Sequence, residues 1–154
     1  MSTVHETAKL GFGSGTNELY DRARPTYPPP ALNFIRSKLE GKGPFDIIEV
    51  ASGTGLFTRT LLAHPEWQDS IGSLRAVEPS EGMRTTFASK TDDSRISLKD
   101  GTFISTGEES ESADAVMIAQ AFHWAHPAYD ETMKEIARIL KPNGTAFFIW
   151  NLED

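Results

Sequence analysis

Phe45-Asp46-Ile47-Ile48-Glu49-Val50-Ala51-Ser52-Gly53-Thr54-Gly55 is a short apolar run that ends on an acid and then on small residues. Behind it, Leu56-Phe57-Thr58-Arg59-Thr60-Leu61-Leu62-Ala63 has helical composition, with apolar positions at 57, 61 and 62. A strand that feeds a helix through such a turn lets backbone N–H groups come close to a ligand. In isolation the same letters also describe an ordinary tight strand-to-helix turn. The dinucleotide pattern G-x-G-x-x-G/A needs a third small residue to seat the helix on the strand. Counted from Ala51, that position is Leu56, so the pattern fails, and a nicotinamide oxidoreductase ranks third among the readings. The spacing present is small-x-Gly-x-Gly, at Ala51, Gly53 and Gly55.

Working outward, 154 residues suffice for one domain that buries about two-thirds of its unfolded surface. There is no cysteine, hence no disulfide, thiol nucleophile or thiolate metal site. No apolar run approaches the roughly 18 residues of a membrane span. Met1-Ser2-Thr3-Val4-His5-Glu6 is no secretory signal, so a cytoplasmic location is expected. The net charge of −7 comes without a basic cluster, which argues against a nucleic-acid backbone as partner.

Residues 1–15 are polar and aperiodic and read as a mobile leader ahead of a domain over 16–154; Gly11-Phe12-Gly13-Ser14-Gly15 imitates a phosphate loop but follows no strand. Helical turns then run to Pro25, and Pro28-Pro29-Pro30 opens a helix with Leu32, Ile35 and Leu39 on one face. Further strands are expected at 73–78, 95–99, 113–119 and 145–150, with His64-Pro65-Glu66-Trp67 as a break. A helix over 128–140 carries Tyr129, Met133, Ile136, Ala137 and Leu140, and Lys141-Pro142-Asn143-Gly144 turns the chain into the last strand. Apolar strands alternating with helices predict an α/β fold, a doubly wound parallel sheet in the order 3-2-1-4-5 covered on both faces. Ligand is then expected at the carboxyl ends of the strands, where the order reverses.

Several side chains fall at that end. Glu78 closes the second strand 23 residues after Gly55, near the offset of an acid that grips ribose hydroxyls. Pro79 follows it. Met83 and Phe103 offer apolar faces to a flat heterocycle, and Asp100 offers an acceptor for its amino group. Met83 is equally readable as helix core, and Asp100-Gly101-Thr102 as a plain turn. Tyr20 and Arg24 stand one helical turn apart, where Arg24 could pair with a ligand carboxylate. In Gln120-Ala121-Phe122-His123-Trp124, His123 suits a general base and Trp124 a rigid wall, though a lone His beside aromatics is also an ordinary structural residue. His123 and His126 have no further ligands at zinc spacing, so no metal is expected.

Taken together, Tyr20 to Pro28, Glu49 to Gly55, Val77 to Met83, Asp114 through Trp124 and Leu140 to Trp150 resemble the class I S-adenosylmethionine (SAM) dependent methyltransferases. The chain is most similar to the small-molecule branch that includes trans-aconitate methyltransferase-like proteins, and the resemblance covers nearly all of it from Phe12 onward. It implies a Rossmann-like fold, SAM as cofactor and a small-molecule methyl acceptor. It implies that the glycine turn meets the methionine part of SAM and that the acid after the second strand binds ribose. Residues around Thr102 and Phe103 would border adenine, and the Tyr/Arg helix would help close over the cofactor. The implied cofactor set is Tyr20, Arg24, Glu49, Ala51, Ser52, Gly53, Gly55, Glu78, Pro79, Met83, Thr102, Phe103, Gln120 and Ala121, with His123 as the catalytic candidate.

Two departures stand out. Ala51 occupies a position where glycine is usual, which a negative φ would accommodate. The relatives also continue past the fifth strand into an antiparallel hairpin, which is lacking here. Phe147-Phe148-Ile149-Trp150 is apolar on both faces yet would form a sheet edge, so pairing by a homodimer or another chain is expected there. A regulatory SAM-binding module acting through such a partner is the runner-up reading.

Overall fold

The computed structural model describes Arg22 and residues 26–152. Along them run α1 (Pro29–Ser37), β1 (Phe45–Val50), α2 (Leu56–Ala63), β2 (Ile71–Val77), α3 (Glu81–Lys90) and β3 (Ile96–Lys99). β4 (Ala113–Ala119), a 3-10 turn (Phe122–Ala125), α4 (Tyr129–Ile139) and β5 (Leu140–Ile149) complete the order. The expected leader over 1–15, Tyr20, Arg24 and most of the helix they were assigned to lie outside the described residues.

The five strands form one sheet in the order β3-β2-β1-β4-β5, and every strand pairing is parallel. β1 is central, so both of its faces are covered. Phe45 and Ile47 join a core built with Leu32 and Ile35 of α1, Phe57 and Leu61 of α2 and Phe87 of α3. Ile48 and Val50 join the opposite core with Ile136 and Ile139 of α4. Burying each such side chain contributes roughly 1.5–3 kcal/mol. The doubly wound architecture and its strand order are therefore as the sequence pattern predicts.

Three local readings are refined. The expected break at His64–Trp67 is present, and within it Trp67 is wholly buried and donates its indole N–H to the Leu32 carbonyl at 3.0 Å, tying α1 to the connection between α2 and β2. In α4 the buried face is Thr132, Ile136 and Ile139, while Tyr129 and Met133 are 37% and 44% exposed. Thr132 can face inward because its hydroxyl donates to the Ala128 carbonyl at 2.8 Å. Third, β5 begins at Leu140, and the expected turn is an excursion inside it. Ala113 pairs with Leu140 and Ala115 with Thr145, so residues 141–144 loop out opposite Asp114 alone. Lys141 pins that excursion, its ammonium donating to Asp46 at 3.2 Å and Asp114 at 3.1 Å.

The polar segment between β3 and β4 is also fixed. Thr106 donates to Glu135 of α4 through its N–H and its hydroxyl, at 3.0 and 2.7 Å. Glu108 meets Arg75 at 2.9 Å and Lys99 at 2.6 Å.

Candidate functional site

At the carboxyl end of β1 the chain turns through Ala51, Gly53 and Gly55, with φ of +57°, +58° and +84°. Ser52 donates its N–H to the Val77 carbonyl and Gly55 donates its own to the Ser52 carbonyl, each at 3.1 Å. Gly55 then caps α2 without a side-chain hydrogen bond, and the first turn of α2 holds no acid. Uncapped N–H groups at a helix start attract negative charge. Gly55 is sterically required: a Cβ there would lie 2.7 Å from the Phe87 ring. At Gly53 the nearest atom to such a carbon is Met83 Sδ at 3.7 Å.

Ala51 corrects the expectation of a negative φ. Its left-handed backbone costs an alanine about 1–2 kcal/mol, partly offset in any glycine replacement by roughly 0.5–1 kcal/mol of unfolded-state freedom. Ala51→Gly is therefore expected to stabilise the protein by about 0.5–1 kcal/mol, raising Tm by a few degrees in calorimetry. A lowered Tm would contradict this account of the turn.

Two buried carboxyl groups lie below the turn. Glu78 takes the Gly53 N–H on Oε2 and the Ser80 N–H on Oε1, both at 2.8 Å. Ser80 in turn caps α3 by accepting the Met83 N–H at 3.3 Å. Burial pushes the Glu78 carboxyl above its ordinary range, against the pull of those amides. Glu49 is 2% exposed and accepts a hydrogen bond from the Thr58 hydroxyl of α2. Burial raises its pKa from 4.5 to about 8, opposed by Thr58 and Arg59 and reinforced by Glu78.

A carboxyl with a raised folded pKa binds its proton more tightly in the folded chain, so ligand-free stability falls as pH rises from about 4.5 to about 8. Glu49→Gln should flatten much of that fall, worth on the order of a few kcal/mol, in urea titrations between those limits. An unchanged slope would mean Glu49 is ionised in the folded protein.

Met83 is buried with its sulfur beside Gly53, and Pro79, partly buried, links β2 to α3. Phe103 packs against the α4-side core, which also takes Ala51, Phe122 and Trp124. Thr102 forms a bridge with Ser105, so the segment is a tight turn, and Asp100 is exposed and pairs with Arg84 at 3.3 Å. Gln120, at φ +56°, donates its N–H to the Ile149 carbonyl at 2.8 Å. Ala121 is buried, and His123 is exposed with its ring 5.0 Å from that of Trp124. The turn, Glu49, Glu78 and Met83 thus converge, and Arg84 links Asp100 to the Glu78 carbonyl at their margin.

The methyltransferase domain family matches residues 48–148, from within β1 almost to the end of β5. The chain belongs to the class I SAM-dependent methyltransferase family. A methyltransferase-like protein of Schizosaccharomyces pombe is 35% identical over 88% of this chain and 49% of its own length. Among solved structures, a SAM-dependent methyltransferase candidate from Methanococcus maripaludis has a TM-score of 0.72, with 23% identity over 90% of this chain and 64% of its own. A Haloferax volcanii methyltransferase candidate, solved with the Trm112 methyltransferase activator, has a TM-score of 0.65, with 26% identity over 76% and 49%. The chain spans about half the length of the curated relatives it matches.

The cradle of this methyltransferase domain fits a SAM-like ligand on its own geometry. Ser52 Oγ is buried with no hydrogen-bond partner among the described residues, the start of α2 is uncapped, and a carbon added at Gly53 would meet Met83 Sδ only at ordinary contact distance, 3.7 Å. Three residues escaped the sequence reading. Thr58 touches Glu49, Arg59 donates to the Thr54 carbonyl at 2.7 Å, and Arg84 donates to the Glu78 carbonyl at 2.7 Å. The signal for Thr58 was its place three residues before Leu61, on the buried face of α2. Among the described residues no helix is long and apolar enough to cross a membrane, and no group of three or more His, Cys, Asp or Glu could hold a metal.

Proposed function

We propose that this domain, over residues 16–154, binds SAM between the glycine turn and Glu78. In this reading it transfers the methyl group to a small-molecule acceptor beyond β4 and β5, in the cytoplasm. The observation that carries the reading is the Glu78 carboxylate bound to the Gly53 N–H, which holds a ribose-type acceptor group against the cradle. When bound, SAM supplies a methyl carbon on a sulfonium, so an acceptor lone pair forms the new bond while the carbon–sulfur electrons return to sulfur.

The protein's residues then have defined tasks. The start of α2 and Ser52 receive the carboxylate end, Glu49 faces the cationic end, and Glu78 uses its remaining lone pairs on ribose hydroxyls. Met83, Pro79, Thr102 and Phe103 border the heterocycle, and Gln120 and Ala121 hold the β4 rim. Tyr20 and Arg24 remain in the proposed set through the family resemblance. Alignment of donor and acceptor supplies most of the acceleration. Where the acceptor must lose a proton, exposed His123 takes it. Calorimetric titration with SAM and S-adenosylhomocysteine tests the binding, and mass-resolved methyl incorporation into a metabolite extract tests the transfer. Absence of binding heat would overturn the reading.

A second reading, a SAM-binding module working through a partner, is favoured by the β5 edge. Phe147, Phe148 and Ile149 are only half-buried and Trp150 is 48% exposed, stacked on Phe148. The Haloferax neighbour was solved with an activator protein. Pairing at this edge predicts a dimer or a partner-dependent species by size-exclusion chromatography with light scattering. A monodisperse, stable monomer would count against edge pairing.

A further inference from the structure

The cradle contains a charge arrangement that the binding role leaves unused. Glu49 and Glu78 are both nearly excluded from water and act on one another, and among the described residues no ion pair reaches Glu49. The groups acting on Glu49 are Thr58 and Arg59 from α2 and Glu78 from the end of β2. The strands flanking it present Ala76 and Met117 in register, neither of which can carry charge. Arg59 directs one guanidinium nitrogen to the Thr54 carbonyl at 2.7 Å and to Thr91 at 3.3 Å, across the turn. Arg59 and Arg84 act on Glu49 and Glu78 from a distance and pair with neither carboxylate, so two charges in one dry site are unfavourable and burial works against ionising the better-buried one.

We propose that Glu49 is a carboxylic acid in the ligand-free protein and exchanges its proton for the cationic end of the cofactor on binding. The proposal rests on the cofactor reading above. The O–H bond of Glu49 breaks, the proton passes to solvent, and the carboxylate left behind faces the ligand's positive charge. The raised pKa of Glu49, near 8, agrees with a group that is protonated at neutral pH. The consequence is a methyl-donor site whose affinity follows pH through the physiological range.

The test is titration of the protein with SAM at pH 7 in phosphate and in Tris, buffers of very different ionisation enthalpy. The ligand's own proton loss is measured separately by NMR and subtracted. The wild type should release close to one proton per ligand, and its Kd should tighten by up to tenfold per pH unit between about pH 6 and 8. Glu49→Gln should bind with no net proton release and a flat pH profile. Binding by the wild type with equal heats in both buffers overturns proton exchange and leaves the cofactor reading standing. No binding heat in either buffer removes both. If Glu49→Gln does not fold, the buffer dependence and pH slope of the wild type decide alone.

Discussion

Gly55→Ala is expected to destabilise the domain by roughly 2–5 kcal/mol, the sum of left-handed backbone strain and a core clash. At φ +84° an alanine is strained wherever its methyl points. Here it also points into the Phe87 ring, 2.7 Å from the nearest carbon, and Phe87 is 1% exposed and cannot swing away. Gly53→Ala is the matched control, because it has a similar φ of +58° but meets only Met83 Sδ at 3.7 Å. It should lose only the strain, about 1–2 kcal/mol. Urea midpoints at unchanged m-value measure both. Equal losses for the two variants would show that Phe87 does not press on the turn.

Glu78→Gln should weaken SAM binding by about 100-fold or more and resemble Glu78→Ala, although its shape is conserved. Both carboxylate oxygens already accept backbone N–H groups, from Gly53 and Ser80. A glutamine has one oxygen, so its amide nitrogen must face a second donor in a site that is 5% exposed. That conflict lowers stability by about 1–3 kcal/mol with or without ligand, while loss of the charge-assisted contact to ribose, about 1.5–3 kcal/mol for each hydrogen bond, weakens binding. Calorimetric Kd values for the two variants test this. Binding by Glu78→Gln within threefold of wild type would mean that the Gly53 and Ser80 contacts do not shape the site.

The contrast between Gly53 and Gly55 also marks what could be read from the letters. The alternation of apolar strands and helices was enough for the sheet and its order, because each strand had to be covered on both faces. Glu78 and the turn could be read because their spacing is set by the length of one strand-helix-strand unit. Ala51 could not, since its φ depends on how β1 leaves the sheet, and no letter records that. Thr58 and Thr132 were passed over for a shared reason: a threonine that satisfies its hydroxyl locally can occupy an apolar face. Asp100, readable as a ligand acceptor or as part of a plain turn, pairs with Arg84, one turn into α3, which no spacing in the sequence announces.

The excursion of residues 141–144 in β5 gives the molecule two ends with different tolerances. It leaves the sheet at the amino end of β5, while the cradle opens at the carboxyl ends of β1 and β2. Pro142 and Asn143 are exposed, and Lys141 anchors the loop to Asp46 and Asp114. Extra length at Asn143 would project into water from a fixed base, which makes this loop the place to graft a fluorophore or affinity tag while leaving the cradle untouched.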